Sequence, residues 1–199
     1  MEKIILFDID GTLFDPQRFG KLLRQEFVKI LNIDEEELVR ANADYYSKLE
    51  STTDFLPRDI VAFLANRFNV SEDELNRVFW ENDQIYKDSL YPEVVDVLKN
   101  LSSAHVLGIF SQGDQELQTR KLNACDISQY FDRNKLFVYK RKLLDEVLGA
   151  LPGGALFIDD KHDVVEALSK ARDVVWINRR NEDVDPQIRT VHSLEELLI

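Results

Sequence analysis

The chain has 199 residues, 44% of them hydrophobic, a single cysteine and a formal net charge of −12. That hydrophobic fraction supports a real core and excludes wholesale disorder, while the charge disfavours nucleic acid or an anionic membrane surface as a partner. No stretch approaches the roughly 20 apolar residues of a membrane helix, no basic start leading into a long apolar run marks a signal peptide, and the lone Cys125 suits a reducing compartment, so a cytoplasmic protein is expected.

Ile4 to Phe7 is an unbroken apolar run, the pattern of a strand buried on both faces, and it exits into Asp8-Ile9-Asp10-Gly11-Thr12. Two carboxylates one residue apart at a buried strand end repel and need a cation or a shared proton. From about residue 15 to 89 the pattern becomes helical. Phe19, Leu22, Leu23, Phe27, Ile30 and Leu31 recur at spacings of three and four. Asp34 with Glu37 predicts a capped second helix, Pro57 opens a third through Phe68, and Ser71 with Glu74 predicts a capping box for a fourth that carries Leu75, Val78, Phe79 and Tyr86. Phe63, Phe68, Phe79 and Trp80 are expected in the core of this bundle.

Strand and helix patterns alternate thereafter. Strands are predicted at 105–110, 136–139, 155–158 and 174–177, with a short edge strand at 189–191. Helices are predicted from Pro92, around Leu117, from Leu143 and around Val164, and Ser193 with Glu196 caps a last short one. Such alternation implies an α/β protein, a Rossmann-like three-layer core around a parallel sheet. The expected division is residues 1–14 and 90–199 as that core, with 15–89 as an inserted helical cap.

Four of the predicted strands end in polar groups: Asp8 and Asp10, Ser111, Lys140, and Asp159 with Asp160. Ligands bind at the carboxyl ends of strands in an open parallel sheet, so groups spread over about 150 residues converge on one edge. Several acidic oxygens suit Mg²⁺, which lets carboxylates stay ionised and offsets phosphate charge. A carboxylate can attack phosphorus, a second can move protons, and a hydroxyl and an ammonium can hold non-bridging oxygens.

Phe7-Asp8-Ile9-Asp10-Gly11-Thr12-Leu13 resembles the first motif of the haloacid dehalogenase superfamily. Ser111, Lys140 before a helix, and Ile158-Asp159-Asp160 resemble its second, third and fourth motifs, and Tyr91 to Leu98 resembles the segment that re-enters the core after a helical cap, with Glu93 where many relatives have glycine. The resemblance spans essentially the whole chain. It implies a phosphatase-like hydrolase with Asp8 as nucleophile, Asp10 as acid/base, and phosphate held by Gly11, Thr12, Ser111, Gln112 and Lys140. It implies Mg²⁺ held by the Asp8 carboxylate, the Asp10 backbone carbonyl and Asp160, with Asp159 assisting and Asp163 outside the ligand set. Lys142 also fits the third motif. Lys140 is preferred because it follows its strand directly and leaves Leu143 and Leu144 to begin a helix face. The expected substrate is a small phosphorylated metabolite, chosen by loops near Asp15–Arg18, Ser51–Arg58 and Gln112–Asp114; Arg18 and Arg58 read first as surface charges, with contact to a second anionic group of the substrate as the alternative.

Each motif has a plainer explanation when taken alone. An isolated Asp-x-Asp is usually a solvated turn, Ser111 an ordinary helix-entry cap, Lys140 to Lys142 a solvated basic turn, and Asp159-Asp160 helix N-terminal charges. Their ordered combination outweighs those explanations. A dehalogenase is disfavoured, because such enzymes resemble this pattern but lack a second aspartate in the first motif, present here as Asp10. A phosphomutase and a non-catalytic module of the same fold are the alternatives.

Overall fold

A computed structural model describes residues 2–51 and 55–198 of the chain. Thr52 to Asp54, in one of the loops expected to select substrate, lie outside the described residues. Two compact units divide the chain: Met1–Asp15 with Leu90–Ile199, and Pro16–Ser89.

The first unit is built on β1 (Ile4–Phe7), β2 (Val106–Gln112), β3 (Phe131–Tyr139), β4 (Leu156–Asp159), β5 (Asp173–Ile177) and β6 (Thr190–Val191). They pair in the order β3-β2-β1-β4-β5-β6, every pair parallel, which makes a Rossmann-like α/β fold. Parallel neighbours need crossovers, and helices supply most of them. β1 lies between β2 and β4, so its backbone is paired on both edges while its side chains are covered on both faces of the sheet, and Leu6 and Phe7 are fully buried. One core cluster joins Leu6, Phe110, Phe157, Val164 and Leu168, with Phe110 and Phe157 edge-to-face at 5.6 Å. Each such side chain contributes about 1.5–3 kcal/mol on burial.

The sheet reverses its winding between β1 and β4. That is the switch point where an open α/β sheet leaves a crevice beyond its strand ends. Asp8 follows β1 directly and Asp159 ends β4, so the order of the strands sets these two carboxylates at the crevice.

β3 starts five residues before the predicted 136–139. Phe131 anchors the early start: it is buried, packs on Phe7 with ring centroids 6.3 Å apart, and pairs with Leu107. The register then jumps so that Leu136 pairs with Ile109, and the polar residues between bulge out.

The second unit holds α1 (Pro16–Leu31), α2 (Glu35–Tyr46), α3 (Pro57–Phe68), α4 (Glu72–Asn76) and α5 (Asp83–Lys87). Asp34 caps α2 through the Glu37 amide at 2.8 Å. The single fourth helix expected from Ser71 onward is instead broken. Ser71 makes no capping bond, a π-helical turn covers Arg77–Glu81, and Asn82 leaves the helical region at ψ 84°. The widened turn lets Phe79 face Phe19 at 6.0 Å while its carbonyl accepts the hydroxyl of the buried Tyr86 at 2.6 Å. Phe79 is therefore core. Phe63, Phe68 and Trp80 are only half-buried, and cationic side chains lie over their rings, among them Arg58 at 4.9 Å from Trp80. Among the described residues no helix is long and apolar enough to cross a membrane.

Candidate active site

In the first unit, four further helices pack with the sheet: α6 (Val94–Leu101), α7 (Gln115–Ala124), α8 (Asp145–Ala150) and α9 (His162–Ser169). The turn after β1 folds back on itself. Gly11 donates to the Phe14 carbonyl at 2.8 Å, and the amides of Thr12, Leu13 and Phe14 all donate to Ile9. The turn amides of Gly11 and Thr12, expected to bind phosphate, are thus used inside the turn. Gly11 has φ +83°, and a Cβ there would lie 2.4 Å from the Asp160 carboxyl carbon. Glycine here permits both the turn and the close approach of Asp160.

Asp8, Asp159 and Asp160 each present a carboxylate oxygen, all within 4.8 Å of one another. One ammonium lies among them. Lys142 Nζ donates to Asp8 Oδ1 at 2.7 Å and to Asp159 Oδ2 at 2.5 Å, and its side chain is 1% exposed. The expected lysine, Lys140, is exposed at the end of β3 and does not reach the carboxylates through any hydrogen bond or ion pair. The reason is the path of the chain. α8 begins only at Asp145, so residues 140–144 form a turn that swings Lys142 inward and leaves Leu143 and Leu144 about 40% exposed rather than on a helix face. Gln112, expected at the phosphate, braces that turn instead, its side-chain oxygen accepting from the Lys142 amide at 3.4 Å.

Three carboxylates face one buried ammonium and, at Asp160, the exposed Arg180, which leaves the group with a surplus of negative charge. Burial, and next the charge of Asp8, push the Asp159 carboxyl up to about 7 in spite of its bond to Lys142. The same two causes, in the same order, push Asp160 up to about 6. Burial opposes charge on Lys142 too, yet Asp8 and Asp159 outweigh it and raise its pKa. One ammonium serves two carboxylates, so it stays charged while the negative surplus remains. Asp160 Oδ2 meets the exposed Arg180 at 3.1 Å, but its Oδ1 is buried and has no hydrogen-bond partner. A hard divalent cation fits this donor set, because it takes oxygen ligands, cancels the surplus and satisfies the orphaned Oδ1. Asp163, in the first turn of α9, stands outside the three-carboxylate group.

Ser111 is fully buried at the end of β2, and its hydroxyl has no partner; the same holds for Thr12 Oγ1. Buried hydroxyls are ordinarily satisfied, and two orphans near the strand ends mark places where oxygens of a ligand can be received. Asp10 is not in the carboxylate group. Its oxygens accept from Lys121 Nζ at 2.6 and 2.8 Å and from Gln118 Nε2 at 2.8 Å. A second brace reaches the turn from the loop after β5. Arg179 donates to the Thr12 carbonyl at 2.8 Å and to Glu93 Oε1 at 2.6 Å while stacked 3.7 Å from the Tyr91 ring centroid. Burial disfavours charge on Glu93, but its own backbone amide and Arg179 hold its carboxyl below the ordinary value. Glu93 thus supplies the anion that the half-buried Arg179 meets beside the turn.

The sequence reading missed Gln118, Lys121, Arg179 and Arg180. A signal existed for the first two: they are three apart on the helix that follows Ser111, polar at positions where an amphipathic helix buries its face. Arg179 and Arg180 lie in a polar loop with nothing to distinguish them.

Comparison with known proteins places these observations. The family model of the haloacid dehalogenase-like hydrolases matches residues 2–172. A phosphoglycolate phosphatase of Aquifex aeolicus (strain VF5) is 27% identical over 184 residues, covering 85% of this chain and 81% of the relative. Among solved structures, the HAD-hydrolase YfnB of Bacillus subtilis, bound to magnesium, aligns with TM-score 0.65 at 18% identity over 98% of this chain and 96% of the other. The L-2-haloacid dehalogenase of Xanthobacter autotrophicus aligns with TM-score 0.57 at 17% identity over 99% and 95%. At such identities the two structures report on the fold alone.

Proposed function

The chain belongs to the haloacid dehalogenase-like hydrolases, and from that premise we propose that it is a Mg²⁺-dependent phosphatase acting on a small phosphomonoester through an aspartyl-phosphate on Asp8. The observation that carries this reading is the group of Asp8, Asp159 and Asp160 around the single ammonium of Lys142. The phosphatase from Aquifex aeolicus supports the reaction class, and the three-carboxylate group with its orphaned Asp160 oxygen supports the metal.

Asp8, Asp159 and Asp160, with the Asp10 backbone carbonyl, would hold Mg²⁺. When bound, the ion offsets the carboxylate charge that otherwise repels a phosphate. Asp8 attacks phosphorus, so an O–P bond forms as the bond to the leaving oxygen breaks. Asp10 gives that oxygen a proton. As a carboxylate it then takes one from the water that attacks the acyl phosphate, releasing inorganic phosphate and restoring Asp8. Lys142 and the Ser111 hydroxyl stabilise the non-bridging oxygens. The helical unit serves as the cap that selects the leaving group. Asp10 favours this chemistry over dehalogenation, which needs no proton for its leaving halide.

The test is a Mg²⁺ screen of phosphorylated sugars, nucleotides, phosphoglycolate and amino-acid phosphates, scored by phosphate release beside halide release from 2-haloacids. Phosphate release that stops with EDTA is expected. Halide release with no phosphate release overturns the proposal.

Metal removal carries a pH signature. Asp159 and Asp160 have folded values raised to about 7 and about 6. Their contribution to the stability of the metal-free protein is therefore fully present below about pH 4 and is lost as pH rises through 6 and 7. Protons and Mg²⁺ compete for the same oxygens, so Mg²⁺ affinity should fall about tenfold or more between pH 7.5 and 6. The gain in Tm from saturating Mg²⁺ over EDTA should be larger at pH 8 than at pH 5.5. An equal gain at both pH values would rule out these carboxylates as the ligands.

A further inference from the structure

α7 presents two buried polar side chains to one carboxylate. Lys121 and Gln118 are 5% and 2% exposed, and both bond to Asp10. Neither has a part in the chemistry above. Resting on the reading of Asp10 as proton donor and acceptor, we propose that Lys121 and Gln118 are positioning residues that hold the Asp10 carboxylate in one orientation for both proton transfers.

The geometry is specific. Lys121 Nζ reaches both carboxylate oxygens, at 2.6 and 2.8 Å, which fixes the plane of the group, and Gln118 Nε2 adds a third bond to Oδ2. An ionised carboxylate has about four acceptor directions. Three are taken, and the Asp10 side chain is still 30% exposed. What remains open is a single approach for a water or a leaving oxygen.

The holders are themselves held. Asp114 caps α7 through the Leu117 amide at 2.8 Å, and Gly113, at φ +145°, lets the Gln118 amide come within 3.0 Å of where a Cβ would stand. Gln118 Nε2 also donates to the Gln112 carbonyl at 3.2 Å. Both of its contacts are acceptors, so the amide must turn its nitrogen toward them, and its oxygen is left buried without a partner. The Phe14 ring, 5.1 Å from Lys121 Nζ, closes the other side. Stability alone does not account for this arrangement: a buried ion pair beside an orphaned amide oxygen is no more stable than packed apolar side chains of the same volume. Orientation of Asp10 accounts for the three bonds that Lys121 and Gln118 make to it.

A double-mutant cycle with p-nitrophenyl phosphate and Mg²⁺ tests the proposal. Lys121→Met should lower kcat about 10- to 100-fold with KM within about threefold, which is the scale of one positioned acid/base group. In an Asp10→Asn background the same change should alter kcat less than about threefold, since there is no proton-transferring carboxylate left to hold. Gln118→Leu should show the same pattern with a smaller loss. It also carries the test alone if Lys121→Met does not fold, because it leaves Asp10 its ammonium. A merely structural role predicts equal losses in both backgrounds, and that result overturns the proposal. If Asp10→Asn lowers turnover but Lys121→Met and Gln118→Leu do not, the positioning role fails while the proposed reaction stands. If Asp10→Asn leaves turnover intact, the role of Asp10 fails and the positioning role fails with it.

Discussion

On the proposed reaction, Asp8→Asn should lower phosphate release at least about 10³-fold, the scale of losing a nucleophile, and the protein should stay folded. An amide cannot form the acyl phosphate. The fold survives because Lys142 keeps its 2.5 Å bond to Asp159, one carboxylate for one ammonium. The substitution also relieves the site. The charge of Asp8 is the second cause, after burial, of the raised values at Asp159 and Asp160, so both should move toward the ordinary carboxylate range. At pH 7 the metal-free variant should then unfold at higher temperature than the metal-free parent, because less repulsion is stored among its buried carboxylates. Activity, trapping of beryllium fluoride with Mg²⁺, and Tm in EDTA are the measurements. Substantial metal-dependent activity in the variant would sink the assignment of Asp8. Unchanged Tm with lost activity would keep the nucleophile and discard the electrostatic account of the site.

Lys142→Met and Lys140→Met should differ sharply although the two lysines are two residues apart. Lys142 is buried between two carboxylates. Removing it leaves both without a cation, and breaking a buried pair in this way costs about 3–5 kcal/mol. Asp159, already pushed up to about 7, can take a proton and absorb part of that cost. The destabilisation should therefore be smaller at pH 6 than at pH 8, and Mg²⁺ should recover some of it. Turnover should fall about 10²- to 10³-fold through loss of a charge at the transferring phosphoryl group. Lys140 is exposed, and its replacement should change stability by less than about 0.5 kcal/mol and turnover by less than about twofold. Urea unfolding at both pH values, beside initial rates, compares the pair. A crippled Lys140→Met with a healthy Lys142→Met would restore the assignment made on sequence alone.

That lysine shows where sequence reading ends. A strand followed by a basic triplet announces an ammonium near the site, but which lysine enters depends on how many residues the turn takes before α8. Leu143 and Leu144 have the composition of a helix start, yet they precede the helix and face solvent. The fourth bundle helix failed for a comparable reason. Ser71 and Glu74 have the capping spacing, but the contacts of Phe79 with Phe19 and Tyr86 select a π-helical turn that no local preference encodes. β3 began early because one aromatic, Phe131, found Phe7 across the sheet.

What the sequence by itself determined are the local features. The apolar runs made strands, their alternation with helices made a parallel sheet, and carboxylates at the ends of two strands became an acidic site. These follow from covalent spacing, since a strand end and the residue after it cannot be separated by folding. Only the tertiary structure decided the pairings. Lys142 meets Asp8 across 134 residues, and Lys121 meets Asp10 across 111. Periodicity states that a side chain is buried and is silent about what it is buried against. That choice belongs to the strand order and register, which bring β1 beside β2 and β4 and set one face of α7, with Gln118 and Lys121, against the turn after Asp8.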